Sequence, residues 1–265
     1  MTVSTPQFAP EWLVLREGAD AVARSAELLE PLRAHLADRR LVIRDLGCGT
    51  GSMGRWLAKR LPGPQFWILT DRDPDLLARA AGNLPSQATA VTDLRDITSL
   101  TAPDLAVTSL VTGSALLDLC TAEEVAALAA ACVEAGCPAY LALSVVGRVE
   151  LDPVDPLDNL LATAFNAHQR RTTGGRRLLG PDAVEVAAAA FESRGATVLR
   201  RPSPWRLGPA QAPLMAEWLR GWVGAAVEQD PDLRVEDYLA RRLAACAAGE
   251  LSVTVHHEDL LALPA

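Results

Sequence analysis

The chain has 265 residues, 49% hydrophobic and 22% charged, an ordinary globular composition long enough for one large domain or two small ones. Asp and Glu outnumber Lys and Arg by 33 to 25, a formal charge of −8; so acidic a surface repels phosphate backbones and anionic lipid, which argues against nucleic acid or membrane partners and favours small molecules. No apolar run approaches the roughly 18 residues of a spanning helix, and the opening MTVSTPQFAPEW lacks the basic start and apolar middle of a signal peptide, so a cytoplasmic location is expected. Cys48, Cys120, Cys132, Cys137 and Cys246 form no C-x-x-C pair, which predicts small buried hydrophobes rather than disulfides or a metal site.

In chain order, residues 10–37 are expected to form a leading helix on which Arg16, Asp20 and Arg24 share one face. That face is either a solvated salt-bridged stripe or the underside of a helix that closes over a ligand. Strands follow at Leu41–Asp45, Gln65–Thr70, Ala88–Thr92, Leu105–Thr112 and Ala139–Val145, alternating with Ala/Leu-rich helical stretches, the mark of a parallel sheet with helices on its faces. Asp73-Pro74 reads as an N-cap with proline at the first helical position, and Thr121-Ala-Glu-Glu124 has capping-box spacing. Residues 152–180 form an insert with a helix from Asp155-Pro156 to about Arg171. Beyond it come a helix at Pro181–Arg194, a strand at Ala196–Arg201, a helical piece at about 210–248 and a last strand at Leu251–His257. The expected whole is a single α/β domain over 1–265, with its core at 41–145, the insert at 152–180 and the remaining helices and last two strands at 181–265.

The strongest motif is Leu41-Val-Ile-Arg-Asp45-Leu-Gly47-Cys48-Gly49-Thr-Gly51-Ser, a strand running into a glycine-rich turn and then a helix at Ser52–Arg60. Glycines permit the tight turn and let a ligand approach bare backbone, with the free amides of the helix start pointing at the site. Gly49-x-Gly51-x-x-Gly54 also satisfies the dinucleotide fingerprint, with Asp71 about 20 residues beyond Gly51. Asp45 separates the two readings. A carboxylate beside a pyrophosphate adds repulsion, whereas it suits a ligand carrying positive charge and hydrogen-bond donors.

With these residues the sequence resembles the class I S-adenosylmethionine-dependent methyltransferases. Their first motif, Asp-x-Gly-x-Gly-x-Gly, is matched by Asp45, Gly47, Gly49 and Gly51, with Cys48 inside the loop. The resemblance implies that Asp71, at the end of the second strand and followed by Arg72, accepts hydrogen bonds from the ribose hydroxyls. It also implies that Asp93, after the third strand, takes the adenine amino group, that Leu94 offers its amide to the ring, and that the leading helix closes over the cofactor with Arg24 or Arg16 near its carboxylate. The implied fold is a Rossmann-like seven-stranded sheet with helices on both faces, a helical insert or lid and an antiparallel last strand, placed here at Gly249–His257. The implied cofactor is S-adenosylmethionine.

The acceptor side is expected to comprise the end of the fourth strand, the leading helix and the insert. Strand four ends Val111-Thr-Gly-Ser114 without the Asn/Asp-Pro-Pro-aromatic tetrad of methyltransferases that act on exocyclic amines, which again favours a small-molecule acceptor. Ser114 and the insert residues Asn159 and Asn166 are candidate substrate contacts, and His168 is the candidate general base. No metal is expected. A nicotinamide-dependent reductase and a non-catalytic cofactor-binding protein are the alternatives.

Overall fold

The structure, a computed structural model, describes residues 9–37 and 40–265. The opening eight residues, where a signal peptide was judged absent, and residues 38–39 at the end of the leading stretch lie outside the described residues.

Seven strands form one continuous sheet: β1 (Leu41–Leu46), β2 (Gln65–Asp71), β3 (Ala88–Leu94), β4 (Leu110–Ser114), β5 (Ala139–Asp152), β8 (Thr197–Pro202) and β10 (Ser252–Leu263), ordered β3-β2-β1-β4-β5-β10-β8. Strands β1 to β5 pair in parallel, while β10 runs antiparallel to both β5 and β8. An eighth short strand, β9 (Trp205–Leu207), pairs with β10, and a two-stranded hairpin, β6 (Thr172–Thr173) and β7 (Arg176–Arg177), stands apart. The order reverses direction between β1 and β4. In an open α/β sheet that switch point leaves a crevice at the carboxyl ends of the strands.

Apolar packing covers both faces. On one, Leu46, Val111, Leu141 and Leu260 meet Val125 and Cys132 of α5 (Ala122–Glu134) and Val184 and Phe191 of α7 (Ala183–Glu192). On the other, Ile43, Trp67 and Tyr140 meet Leu32 of α2 (Leu29–His35), Met53 and Trp56 of α3 (Ser52–Ala58) and Leu77 of α4 (Pro74–Ala81). A third cluster joins α6 (Asp158–Gln169), α8 (Ala212–Gln229) and α9 (Glu236–Ala248) around Met215, Trp222 and Tyr238. It rests on the extended ends of β5 and β10 through Leu151 and Val253.

The caps form as the sequence spells them: Asp73 accepts the amides of Asp75 and Leu76, and Thr121 and Glu124 exchange side-chain-to-backbone bonds. β5 and β10 run on to Asp152 and Leu263, beyond their expected ends at Val145 and His257, and three other elements differ from the sequence reading. The stretch expected to open strand four at Leu105 is a 3-10 turn, Ala102–Leu105, because Thr101 and Asp104 close a capping box around Pro103. The leading helix breaks after α1 (Pro10–Ala23), where Ser25 gives its amide to Asp259 instead of continuing the helix. The piece at 210–248 is two helices rather than one.

Asp259 is wholly buried in β10. One oxygen accepts the Leu143 amide at 2.8 Å, and the other accepts the Ser25 amide at 2.8 Å and the Tyr140 hydroxyl at 2.9 Å. Leu143 holds the left-handed φ of 56° that this bond supports. Asp259→Ala strands the buried Ser25 and Leu143 amides and leaves the Tyr140 hydroxyl only the Ser25 carbonyl at 3.3 Å, so urea denaturation should show a loss of about 3–5 kcal/mol. Tyr140→Phe should cost only about 1 kcal/mol. A wild-type midpoint for Asp259→Ala would show the network to be dispensable.

Candidate functional site

At the switch point lies a cavity of about 360 Å³. Its floor is the turn between β1 and α3, where Gly47, Gly49 and Gly51 take φ values of 57°, 54° and 85°, a region that disfavours any side chain. Space demands glycine too. A Cβ on Gly49 would come within 3.2 Å of Leu13 on α1, and one on Gly51 within 3.2 Å of Ala80 on α4. The turn therefore presents bare backbone between two helices.

Asp71, at the end of β2, braces this turn. Its Oδ2 accepts the Gly49 amide at 2.9 Å and its Oδ1 the Asp73 amide at 3.0 Å. A carboxylate offers about four acceptor positions, so each oxygen keeps capacity for a ligand hydroxyl.

Asp45, at the end of β1, is wholly buried and lines the cavity. Its Oδ1 accepts the Thr112 hydroxyl at 2.8 Å, a consequence of the register that pairs Asp45 with Thr112 across β1 and β4. Its Oδ2 has no partner among the described residues. Burial pushes its pKa up to about 6, the Thr112 bond and the nearby Arg24 opposing. Arg24 lies immediately beyond α1, buried, with one Nη donating to Ser52 at 3.0 Å and Ser114 at 3.1 Å. Its Nε and other Nη are buried without partners, and desolvation lowers its pKa from the usual value. Two opposite, incompletely satisfied charges thus face each other across the base of the turn.

Helix α1 lies over the turn. Beyond the approach of Leu13, Glu17 pairs with Arg55 of α3 at 2.6 Å, and the Trp56 indole donates to the Ala21 carbonyl at 3.0 Å. Asp20 is buried, so its face is no solvated stripe: it holds Arg16 at 3.0 Å and accepts the Trp205 indole N–H at 3.0 Å.

Residues 43–138 match a family model described as a methyltransferase domain. That stretch, which carries the glycine turn and the ends of β1, β2 and β4, is similar to methyltransferase domains. A 70-residue stretch is 43% identical to the biotin biosynthesis bifunctional protein BioCD of Bordetella avium, spanning 26% of this chain and 13% of that protein. Among solved structures, the fold resembles a candidate type II methyltransferase from Anaeromyxobacter dehalogenans, with a TM-score of 0.52 and 15% identity over 91% of this chain and 98% of that one. It also resembles the cyclopropane synthase MmaA2 from Mycobacterium tuberculosis, with a TM-score of 0.50 and 13% identity over 89% and 83% of the two chains.

Within residues 43–138, the cavity brings together Asp45, Gly47, Cys48, Gly49, Asp71, Arg72 and Ser114. Gly51 shapes the turn from behind, and burial pushes the Cys48 thiol far up, which leaves it an inert filler. Asp93 and Leu94 do not line the cavity, and Arg24 stands behind its wall, bonded to the lining residues Ser52 and Ser114. Asp93 pairs with Thr70 in the sheet, one position before the Asp71–Leu94 pair, and so faces away from Asp71. There it binds Arg44 at 2.6 Å, and Leu94 is 62% exposed. The wall at that end is instead Arg95, Asp96, Ile97 and Thr98, where Asp96 caps the 3-10 turn Ile97–Ser99 by accepting the Thr98 amide at 2.9 Å.

The insert residues also fall elsewhere. His168 faces α8, its Nε2 at 3.1 Å from Glu228 and its Nδ1 at 3.2 Å from Arg171, and does not reach the cavity. Asn166 ties α6 to the Gly147 carbonyl at 2.7 Å, and Asn159 is exposed. Packing of α6 on α8 and β5 decides this, by turning the polar edge of α6 away from the domain's crevice. Sequence reasoning missed Thr112, Asp96 and Arg176, which comes from the small hairpin and clamps Glu124 at 2.6 Å on the cavity wall. Only the register of β1 against β4 could have indicated Thr112.

Asp45 makes a pH test. Its folded pKa lies above its unfolded value, so the stability it contributes is full below about pH 4 and is lost as pH rises through about 6. Asp45→Asn keeps an acceptor for Thr112 and removes the buried charge. In ligand-free protein it should be more stable than wild type by roughly 1–3 kcal/mol at pH 8, the gap narrowing between about pH 6 and 4. Parallel stability curves for the two proteins across that range would refute the burial argument.

Proposed function

We propose that the chain transfers a methyl group from S-adenosylmethionine to a small-molecule acceptor, in the reducing environment of the cytoplasm. The observation that carries this reading is the buried Asp45 oxygen with no partner on the cavity wall. It would repel a pyrophosphate and disfavours a nicotinamide dinucleotide, but it suits a cationic group. The unsatisfied nitrogens of Arg24 nearby suit a carboxylate, and a zwitterionic amino-acid head satisfies both. The five cysteines are buried and none is in a disulfide among the described residues, which fits a reducing compartment.

On this reading Asp71 accepts the ribose hydroxyls, and the turn of Gly47, Gly49 and Gly51 gives the backbone close approach. Asp96 and Thr98 take the adenine end in place of Asp93 and Leu94, and Asp45 and Arg24 take the amino-acid head. S-adenosylmethionine supplies a methyl group on a sulfonium, activated for in-line displacement. The chain's main contribution is positioning, since a nucleophile must be held about 3–3.5 Å from the reacting carbon. Leu13, Met53, Leu116 and Leu119 line the cavity with apolar surface that excludes competing water. Ser114, at the end of β4, joins the cofactor end to the space under Arg16 where an acceptor enters.

Calorimetry should detect S-adenosylhomocysteine binding to the wild type and none by NADPH. Asp71→Ala should weaken S-adenosylhomocysteine about 10–100-fold, as loss of charge-assisted hydrogen bonds implies, without loss of secondary structure. Unchanged affinity in that variant would sink the assignment of Asp71. Binding without turnover across a broad acceptor extract would favour a non-catalytic cofactor-binding protein.

A further inference from the structure

Arg16 lines the cavity with its side chain only 12% exposed, and its direction is set from three sides. Its Nε and one Nη bond Asp20 at 3.0–3.2 Å, the guanidinium lies 4.9 Å from the Trp205 ring centroid, and Trp12 flanks it at 6.0 Å. Asp20 is itself pinned by the Trp205 indole N–H. A guanidinium held against an aromatic ring by a bidentate carboxylate keeps its remaining in-plane donors pointing one way. Here the remaining group is Nη1, which among the described residues makes no hydrogen bond.

Arg16 sits at the acceptor end of the cavity. Besides Arg24, its electrostatic neighbours are Asp118, in the turn after β4, and His257, on β10, while its ring contact Trp205 is on β9. All three belong to the β4 and β10 side, across the turn from Asp71 and Asp96. Arg24 already supplies an unsatisfied cation beside the glycine turn, between Ser52 and Ser114. The two arginines feel each other's charge but donate to different partners, Arg24 to Ser52 and Ser114 and Arg16 to Asp20.

We propose that Arg16 is the specificity-determining residue of the acceptor site, and that the acceptor carries an anionic group, a carboxylate or a phosphate, that docks on its Nη1 edge. The inference rests on the methyltransferase reading. Asp20 does not stand in the way, because its oxygens are turned to Arg16 and Trp205 and it is buried. Burial and Arg16 hold the His257 imidazole neutral, its pKa lowered to about 3. Burial raises the pKa of Asp118, with the positive charges of Arg16 and Arg171 opposing. An anion arriving there completes the guanidinium without displacing its existing bonds.

The test uses protein saturated with S-adenosylhomocysteine, so that the Arg24 end is occupied. Calorimetry compares benzoate with its neutral isostere benzamide, and adds inorganic phosphate to separate the two anions. The variant is Arg16→Gln with Asp20→Asn, which removes both charges together and leaves an acceptor for the Trp205 indole, so no buried carboxylate is orphaned. The expected result is that benzoate or phosphate binds the wild type and benzamide binds at least about tenfold more weakly. The double variant should lose the anion by a similar factor and keep its S-adenosylhomocysteine affinity within about threefold. Equal binding of benzoate and benzamide with no phosphate binding, or anion affinity retained in the variant, would overturn the proposal. So would loss of S-adenosylhomocysteine affinity by more than about tenfold in the variant, since Arg16 would then serve the cofactor. A wild type that fails to bind S-adenosylhomocysteine at all overturns the methyltransferase reading itself.

Discussion

A carboxylate with no access to water, Asp259, connects three segments that are far apart in the chain: the link after α1, the middle of β5 and the last strand. Its bond to the Ser25 amide ends α1 and fixes the residue after Arg24. Its bond to Leu143 supports a left-handed residue within β5, next to the cavity side of the sheet. Burial and Asp259 both raise the pKa of Tyr140, which therefore remains a hydrogen-bond donor at any ordinary pH. The three donors satisfy the carboxylate, and the two amides would be costly orphans without it. Placement of α1 over the glycine turn depends on this anchor.

The cavity below α1 keeps charges that the protein itself does not fully satisfy. Asp45 has one oxygen unpaired and a raised pKa, and Arg24 has two nitrogens unpaired and a lowered one. Both shifts come first from burial, the signature of charge withheld from solvent before a ligand compensates it. Arg16 differs, because Asp20 and the tryptophans satisfy most of its donors and leave one edge open. Strain and desolvation are thus concentrated at the base of the site, while directional recognition lies at its rim.

Local chemistry explains what could be read from the chain. The glycine turn is legible because left-handed backbone and close approach each demand glycine, and these needs are met within a few residues. Asp45 and Asp71 follow from their places at the ends of strands flanking that turn. Asp93 shows the limit of the method. Strand ends are readable only to within a few residues, and a shift of one residue in a pleated strand carries a side chain to the other face. His168 fails for a related reason, since helical periodicity identifies an amphipathic edge but not the element it will meet.

By itself the sequence determined the alternation of strands and helices, the phosphate-averse acid before the glycine turn and the capped starts of α4 and α5. All of these depend on residues close together in the chain. Tertiary structure decided which polar groups meet at or behind the cavity wall: Thr112 with Asp45 through strand register, Arg24 with Ser52 and Ser114 through the break after α1, and Arg16 with Trp205 through the pairing of β9 with β10. The reason is physical. Backbone conformation is set over a few neighbouring residues, whereas the satisfaction of a buried charge requires partners that only a completed fold brings within hydrogen-bonding distance.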